Sequence, residues 1–178
     1  MTTTRKFPAK TALLKSMESL LHHKSFSKIS VDELCQHAQI SRSSFYANFA
    51  DKYELLKYCL YERYSQIDPV SSSYTLKDFI LNTLDHIQKH PRFFYNALGA
   101  SDDEEIKEIF YQFFDQQFTD LLNQKVKQGM KLPGPTEVVS AFYIGGLAVT
   151  LFRWIKSNYK ISKDELAACQ CSLIKDLI

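Results

Sequence analysis

Between Lys28 and Lys52 the chain gathers side chains suited to gripping a polyanion. Arg42, Ser43, Ser44, Tyr46 and Asn48 supply a guanidinium, two alcohols, a phenol and an amide, and no carboxylate interrupts them. Such groups hydrogen-bond phosphate oxygens and base edges, and a guanidinium can take a guanine bidentately. Phe45 and Phe49 lie four apart, the spacing of one helical face, so the polar set shares the other. Lys28 and Lys52 flank the cluster as phosphate clamps. Free backbone N–H groups behind Ser30 and Asp51 favour an anion, although the Asp51 carboxylate opposes it. A solvated face on a helical bundle is the alternative reading.

The elements that position these groups are legible from caps and periodicity. A first helix over about 9–23 carries Leu13, Met17, Leu20 and Leu21 on one side. Ser30-Val-Asp-Glu33 is a capping box, with Ser30 and Glu33 expected to satisfy each other's backbone donors. It opens a short helix over 31–37 with Val31, Leu34, Cys35 and Ala38 inward. Gln39-Ile-Ser41 breaks the pattern, and a second short helix follows over 42–49. Two short helices across a three-residue break make a helix-turn-helix. Asp51-Lys-Tyr-Glu54 then caps a longer helix, 52–66, that buries Leu55, Leu56, Cys59 and Leu60.

Composition bounds the rest. Of 178 residues, 45% are hydrophobic and 24% charged, which is ordinary globular usage. Five Gly and five Pro are too few for a many-stranded sheet protein, so long helices are expected. No run approaches the roughly 18 uninterrupted apolar residues of a membrane span. No apolar run follows Arg5 and Lys6, so a secretory signal is not expected and a cytoplasmic setting is. Cys35, Cys59, Cys169 and Cys171 sit in apolar-periodic segments without CxxC spacing, which reads as reduced core thiols. Net charge is only +2, yet residues 1–60 carry nine Lys/Arg against five Asp/Glu, and the remainder thirteen against fifteen. A basic front suits a polyanionic partner.

The polar, turn-rich stretch 68–74 reads as a linker. Thr75 and Asp78 cap a helix to about His90, with Leu76, Phe79, Ile80, Thr83, Leu84 and Ile87 as its stripe. Pro91 ends it or starts the next, and Phe93 to Leu98 forms a short apolar piece before Gly99. A long helix from near Ser101 to Gly129 carries Ile106, Ile109, Phe110, Phe113, Phe114, Phe118, Leu121, Leu122 and Val126. After Leu132-Pro-Gly-Pro135, a helix to about Ser157 is apolar nearly all round and must be buried on two sides. Ser162 caps a last helix bearing Leu166, Cys169, Leu173 and Leu177. The expectation is an all-α protein of roughly nine helices. His86 and His90 stand four apart but have no third ligand at matching spacing, so no metal is expected. Cys169 and Cys171 would splay about 200° apart on a helix. Asp102 to Glu105 suits a helix start and needs no function. Nucleotide-loop, nucleophile-elbow and zinc-protease motifs are missing, so neither an enzyme nor a cofactor is expected.

The stretch from Ile29 to Leu56, with Ser44-Phe-Tyr46, Phe49, Lys52 and Glu54-Leu-Leu56 in register, resembles the DNA-binding module of the TetR (tetracycline repressor) family. That resemblance implies an N-terminal helix-turn-helix DNA-binding domain, 8–67. It also implies a larger C-terminal domain for ligand binding and dimerisation, 75–178. A homodimer would bind double-stranded DNA at a palindromic operator, most readily as a repressor, and release it when a small apolar effector binds. By position, phosphate contacts fall on Tyr46 and Lys52 and base contacts on Arg42, Ser43 and Ser44, with Lys28, Ser30 and Asn48 completing the candidate DNA face. Gln39 stands where the family often has Gly, so a left-handed turn there would carry strain. Tyr143-Ile-Gly-Gly-Leu-Ala148, Arg153-Trp-Ile-Lys156 and Ser162 to Leu166 look like the two C-terminal helices of one subgroup, which pair across a dimer. This implies an interface at Gly145, Gly146, Val149, Phe152, Leu166 and Leu173. Phe79, Phe94, Phe110, Phe113, Phe114 and Phe142 are the candidate effector-pocket residues, and the same rings also suit plain core. The alternative function is an adaptor or co-activator that keeps the helix-turn-helix scaffold and acts through a protein partner.

Overall fold

Side-chain caps set most of the helix starts. In the computed structural model, residues 9–64, 74–100 and 102–174 are described, and among them there are nine α-helices and no strand. They are α1 (Ala9–Leu21), α2 (Val31–Ala38), α3 (Arg42–Tyr46), α4 (Lys52–Tyr64), α5 (Leu76–Lys89), α6 (Pro91–Phe94), α7 (Glu104–Lys127), α8 (Thr136–Lys156) and α9 (Lys163–Leu173). The expected end of the fourth helix at Gln66, the linker 68–73, the position Ser101 and the residue Leu177 lie outside the described residues. Ser30, Ser41, Thr75, Asp103 and Ser162 each accept a backbone N–H from the first turn they precede. Thr75 and Asp78 form the full reciprocal box.

The box at Ser30 is only half formed. Ser30 accepts the Glu33 N–H at 3.2 Å, but the Glu33 carboxylate pairs with the Lys24 ammonium instead of reaching back. An opposite charge outcompetes a neutral backbone donor for a carboxylate. Helix α3 also stops three residues before Phe49. The Asn48 amide donates to the Ser44 carbonyl at 2.7 Å, so a side chain has taken an acceptor of the backbone ladder.

One continuous cluster of buried side chains runs from Leu13 to Ile174. Leu55, Leu56, Cys59 and Leu60 of α4 are wholly buried, α4 packs on both α1 and α7, α8 lies along α7, and α9 lies on α5. Among the described residues, Arg63, Tyr53 and Asn96 tie the first four helices to the rest, Arg63 through its stacking on Phe93. Arg63 pairs with Glu18 at 3.0 Å and stacks 4.1 Å above the Phe93 ring. The Tyr53 hydroxyl donates to Asp103 at 2.9 Å, and the Asn96 amide donates to the Leu21 carbonyl at 2.8 Å. Asn96 sits in a single π-turn, Tyr95–Gly99.

The face of α9 differs from the expected one. Leu166, Ala167, Gln170 and Ile174 are buried, whereas Cys169 and Leu173 point outward. Gln170 earns its buried place by donating to the Thr150 hydroxyl at 2.7 Å, which rotates the helix by about one residue from its apolar pattern. Cys35 and Cys59 are therefore core thiols, while Cys169 is exposed and Cys171 half-buried; all four are free. Helix α8 is long and apolar enough by composition to cross a membrane. Here Val139, Ile144, Ala148, Leu151 and Ile155 turn inward, and Val138, Phe142 and Val149 turn out.

Two predictions test this framework. Gln39 takes a left-handed conformation (φ 56°, ψ 43°), which costs a residue with a Cβ about 1–2 kcal/mol. Gln39→Gly should raise stability in chemical denaturation, by less than that because glycine gains unfolded-state entropy; a clear loss would refute the strain argument. His86 is packed against Tyr64, His90 and Phe94, and burial, aided by His90 and Arg63, holds its pKa down to about 4. From pH 6.5 down to 4 the unfolded chain binds more protons than the folded one, so stability falls with pH across that window. His86→Phe should flatten this fall in urea midpoints; an unchanged slope would contradict it.

Candidate nucleic-acid interface

The turn between α2 and α3 is closed from both sides. The Ile40 N–H returns to the Cys35 carbonyl at 3.0 Å, and Ser41 accepts the Ser44 N–H at 3.1 Å. The left-handed Gln39 reverses the chain between them. Phe45 and Phe49 sink into the core, and the buried Ser16 hydroxyl donates to the Leu34 carbonyl at 3.1 Å, locking α2 to α1. With its apolar side fixed, α3 turns Arg42, Ser43 and Tyr46 to solvent, with Ser44 half-buried behind them.

Tyr46 is 51% exposed, its ring edge-on to Phe45. The Arg42 guanidinium lies 6.0 Å from the Tyr46 ring centroid and pairs with Asp32 on α2 at 2.9 Å. Both members of that pair are well exposed, so the tether is weak and exchangeable. Lys28 and Ser30 are exposed beside the start of α2. The first basic and hydrogen-bonding groups a polyanion would meet are therefore Arg42, Ser43, Tyr46 and Lys28.

Besides the Arg42–Asp32 pair, Ser43 shares a hydrogen bond with the Ser41 hydroxyl at 2.9 Å and Ser30 accepts the Glu33 N–H, while Lys52 and Asn48 are engaged in the frame itself. The Lys52 ammonium donates to the Phe26 and Ile29 carbonyls at 3.1 and 2.9 Å and sits 4.5 Å from the Phe26 ring centroid. Burial lowers its pKa. It pins the short 3₁₀ turn Phe26–Lys28 to α4 and thereby sets where α2 begins, instead of standing free as a phosphate clamp. Asn48 likewise spends its amide on the end of α3. Asp32, which orients Arg42, escaped the sequence reading because an acidic residue in a first helical turn reads as a macrodipole partner.

A cavity of about 260 Å³ opens between α4, α5 and α7, lined by Tyr64, Tyr74, Phe79, Asn82, Thr83, Phe114, Gln117, Asp120, Leu121 and Gln124. Of the candidate pocket residues, Phe79 and Phe114 border it. Phe94, Phe110 and Phe113 are plain core, and Phe142 is 78% exposed on the outside of α8, away from the cavity. The polar lining was missed because Asn82, Gln117 and Gln124 look like ordinary surface residues in sequence. Of the candidate dimer residues, Gly146, Val149 and Leu173 are exposed and Gly145 and Phe152 half-buried. Leu166 is buried within the protomer, because α9 turns it against the core, so it is unavailable to a partner. No group of three metal-ligating side chains occurs among the described residues.

Residues 13–59 match the family model for bacterial regulatory proteins of the tetR family, and residues 74–176 match that for a transcriptional regulator C-terminal region, TetR_C_8. No curated protein matches the chain. Among solved structures it is similar to the dihydroxyacetone kinase operon activator DhaS (20% identity, 96% of each chain covered, TM-score 0.59). A TetR transcriptional regulator from Streptococcus agalactiae 2603V is also similar (21% identity, 93% of each chain, TM-score 0.65). So is NalD, the secondary repressor of the MexAB-OprM multidrug efflux pump in Pseudomonas aeruginosa (19% identity, 94% of this chain and 95% of that one, TM-score 0.60). At these identities the likeness is one of fold.

The position of Lys52 generates a discriminating prediction. A lysine that neutralises a phosphate changes the salt dependence of binding when removed, lowering the slope by about 0.9 per contact. Lys52→Met should instead lower thermal stability, by about 2 kcal/mol for two charge-assisted hydrogen bonds, and weaken DNA binding with the salt slope intact. A reduced slope with unchanged stability would restore the phosphate-clamp role.

Proposed function

The chain belongs to the tetR family of bacterial regulatory proteins, and from that premise we propose that a homodimer of it binds a palindromic operator, represses transcription there and lets go when a small molecule fills the cavity. Membership makes it a DNA-binding transcriptional regulator and not an enzyme. The observation that carries the proposal is the exposed α3 face of Arg42, Ser43 and Tyr46 at the end of a rigid two-helix unit. On this reading residues 8–67 read DNA in the cytoplasm and residues 75–178 dimerise and sense the effector.

Dimerisation is supported by what the protomer leaves uncovered. Val138, Phe142 and Val149 on α8 and Leu173 on α9 are between 49% and 78% exposed. A Cβ at Gly145 or Gly146 would meet nothing within 4 Å, so the protomer itself gives no reason for two helix-weakening glycines. Close approach of a second backbone does. Twofold pairing would set two copies of α3 on half-sites about 34–36 Å apart or a multiple of that.

Release is supported by the path of α4. Its last residue, Tyr64, borders the cavity, and its first, Lys52, holds the carbonyls that precede α2. A ligand that displaces Tyr64 bears on the spacing of the reading helices. A repressor needs nothing beyond these parts, and NalD, of similar fold, is a repressor. The adaptor reading draws on one observation, that Lys52 and Asn48 are engaged internally; DhaS, also of similar fold, is an operon activator.

Binding of the purified protein to genomic fragments separates these readings. Footprints of twofold symmetry are expected, and Arg42→Ala should cost about 1–3 kcal/mol and relax the preference at one base position per half-site. An unaltered preference would remove Arg42 from base readout. A protein that protects no duplex at low salt would favour the adaptor.

A further inference from the structure

We propose that the cavity between α4, α5 and α7 takes a small organic cation, a ring-bearing primary ammonium. This rests on the effector reading above and names its ligand class. Four aromatic residues, Tyr64, Tyr74, Phe79 and Phe114, surround the space. Aromatic faces carry negative potential and attract ammonium groups, most strongly where water is excluded. Among the described residues the one charged side chain in the lining is Asp120, whose Oδ1 accepts the Gln116 amide at 3.0 Å, and none of the described Lys, Arg or His residues lines the cavity.

The hydrogen-bonding inventory points the same way. The Tyr64 hydroxyl is buried and has no partner, and burial raises its pKa, so it remains a neutral phenol with an unused oxygen. Its oxygen is closed off from the cavity surface, where the rest of the side chain lies, and buried polar groups are almost always paired. A shift of the Tyr64 side chain would open that oxygen to an ammonium N–H. A purely apolar occupant would leave it unsatisfied, together with the amides of Gln117 and Gln124. A carboxylate or phosphate would be desolvated with no cation to receive it and Asp120 beside it. The volume, about 260 Å³, is below the usual range for drug-sized ligands and suits one ring with a short chain.

Titration calorimetry with three probes of one shape tests this: 2-phenylethylammonium, 2-phenylethanol and 3-phenylpropionate. The ammonium should bind at least tenfold more tightly than the carboxylate. Asp120→Asn, a change at an exposed residue, should erase most of that preference, and Tyr64→Phe should weaken the ammonium severalfold. Equal or tighter binding of the alcohol or carboxylate, a preference that survives Asp120→Asn, or no binding of any probe at millimolar concentration would overturn the proposal. The same probes added to a DNA complex keep the two readings apart. An ammonium that binds but leaves DNA bound upholds the ligand class and sinks release. A neutral or anionic probe that binds the cavity and frees DNA does the reverse.

Discussion

Helix α4 is held from opposite sides, and most of the molecule's geometry follows from that constraint. Its wholly buried Leu55, Leu56, Cys59 and Leu60 each represent about 1.5–3 kcal/mol of burial on the scale for large aliphatic side chains, somewhat less for the thiol. Burial fixes the helix axis but leaves rotation and sliding cheaper to change. The polar ties remove that freedom. Lys52 is bonded toward the start of α2, Tyr53 toward the cap of α7, and Arg63 toward α1 with Phe93 beneath it. One rod thus fixes the reading helices at one end and borders the cavity at the other.

Hydrogen-bonding groups around the reading helix are finite, and most take part in holding the structure. Ser30 and Ser41 accept helix N–H groups, Asn48 terminates α3, and Lys52 closes the preceding turn. Such groups give the unit rigidity and are then lost to a ligand. Capacity is left on Tyr46, on Lys28, on Arg42 beyond its exposed pair with Asp32 and on Ser43 beyond its hydrogen bond with Ser41; two positive charges among them would by electrostatics alone give weak, unselective association. Asp32 adds a further restraint. Pairing weakly with Arg42 at 2.9 Å on an exposed surface, it competes with a ligand for the guanidinium and opposes a second negative charge nearby. A surface of this kind favours hydrogen bonding with defined geometry over a long-range field.

The helix-turn-helix was legible in sequence because its signals are local. Caps, a three-residue break and apolar residues four apart all lie within a short window, and the left-handed Gln39 follows from where the break falls. What escaped depended on distant partners. Glu33 chose Lys24 over its own cap, Lys52 chose carbonyls more than 20 positions away, and Gln170 displaced Cys169 and Leu173 from the buried face through Thr150. Periodicity ranks residues by hydrophobicity, so a glutamine whose donors are satisfied is invisible to it. The aromatic stripe failed as a pocket signal for the same reason. Phe94 packs on Phe93 and Phe110, and Phe113 on Phe114, leaving the open space where amides interrupt the rings.

Helix α8 makes the last step of the argument. A helix apolar on every side has two stable environments, lipid or protein on both faces. One face of α8 already lies on α7, and that face holds its small and branched residues in register with the core. The outer face exposes Val138, Phe142 and Val149, and at its centre stand two adjacent glycines where a Cβ would meet nothing within 4 Å. Glycine costs a helix about 1 kcal/mol per residue, so two in succession reward only a surface that something approaches closely. On the proposed dimer a second copy of α8 would meet that requirement by symmetry, because the same shallow centre would face itself. The dimer reading therefore rests on the cost of the glycines as much as on the exposed phenylalanine.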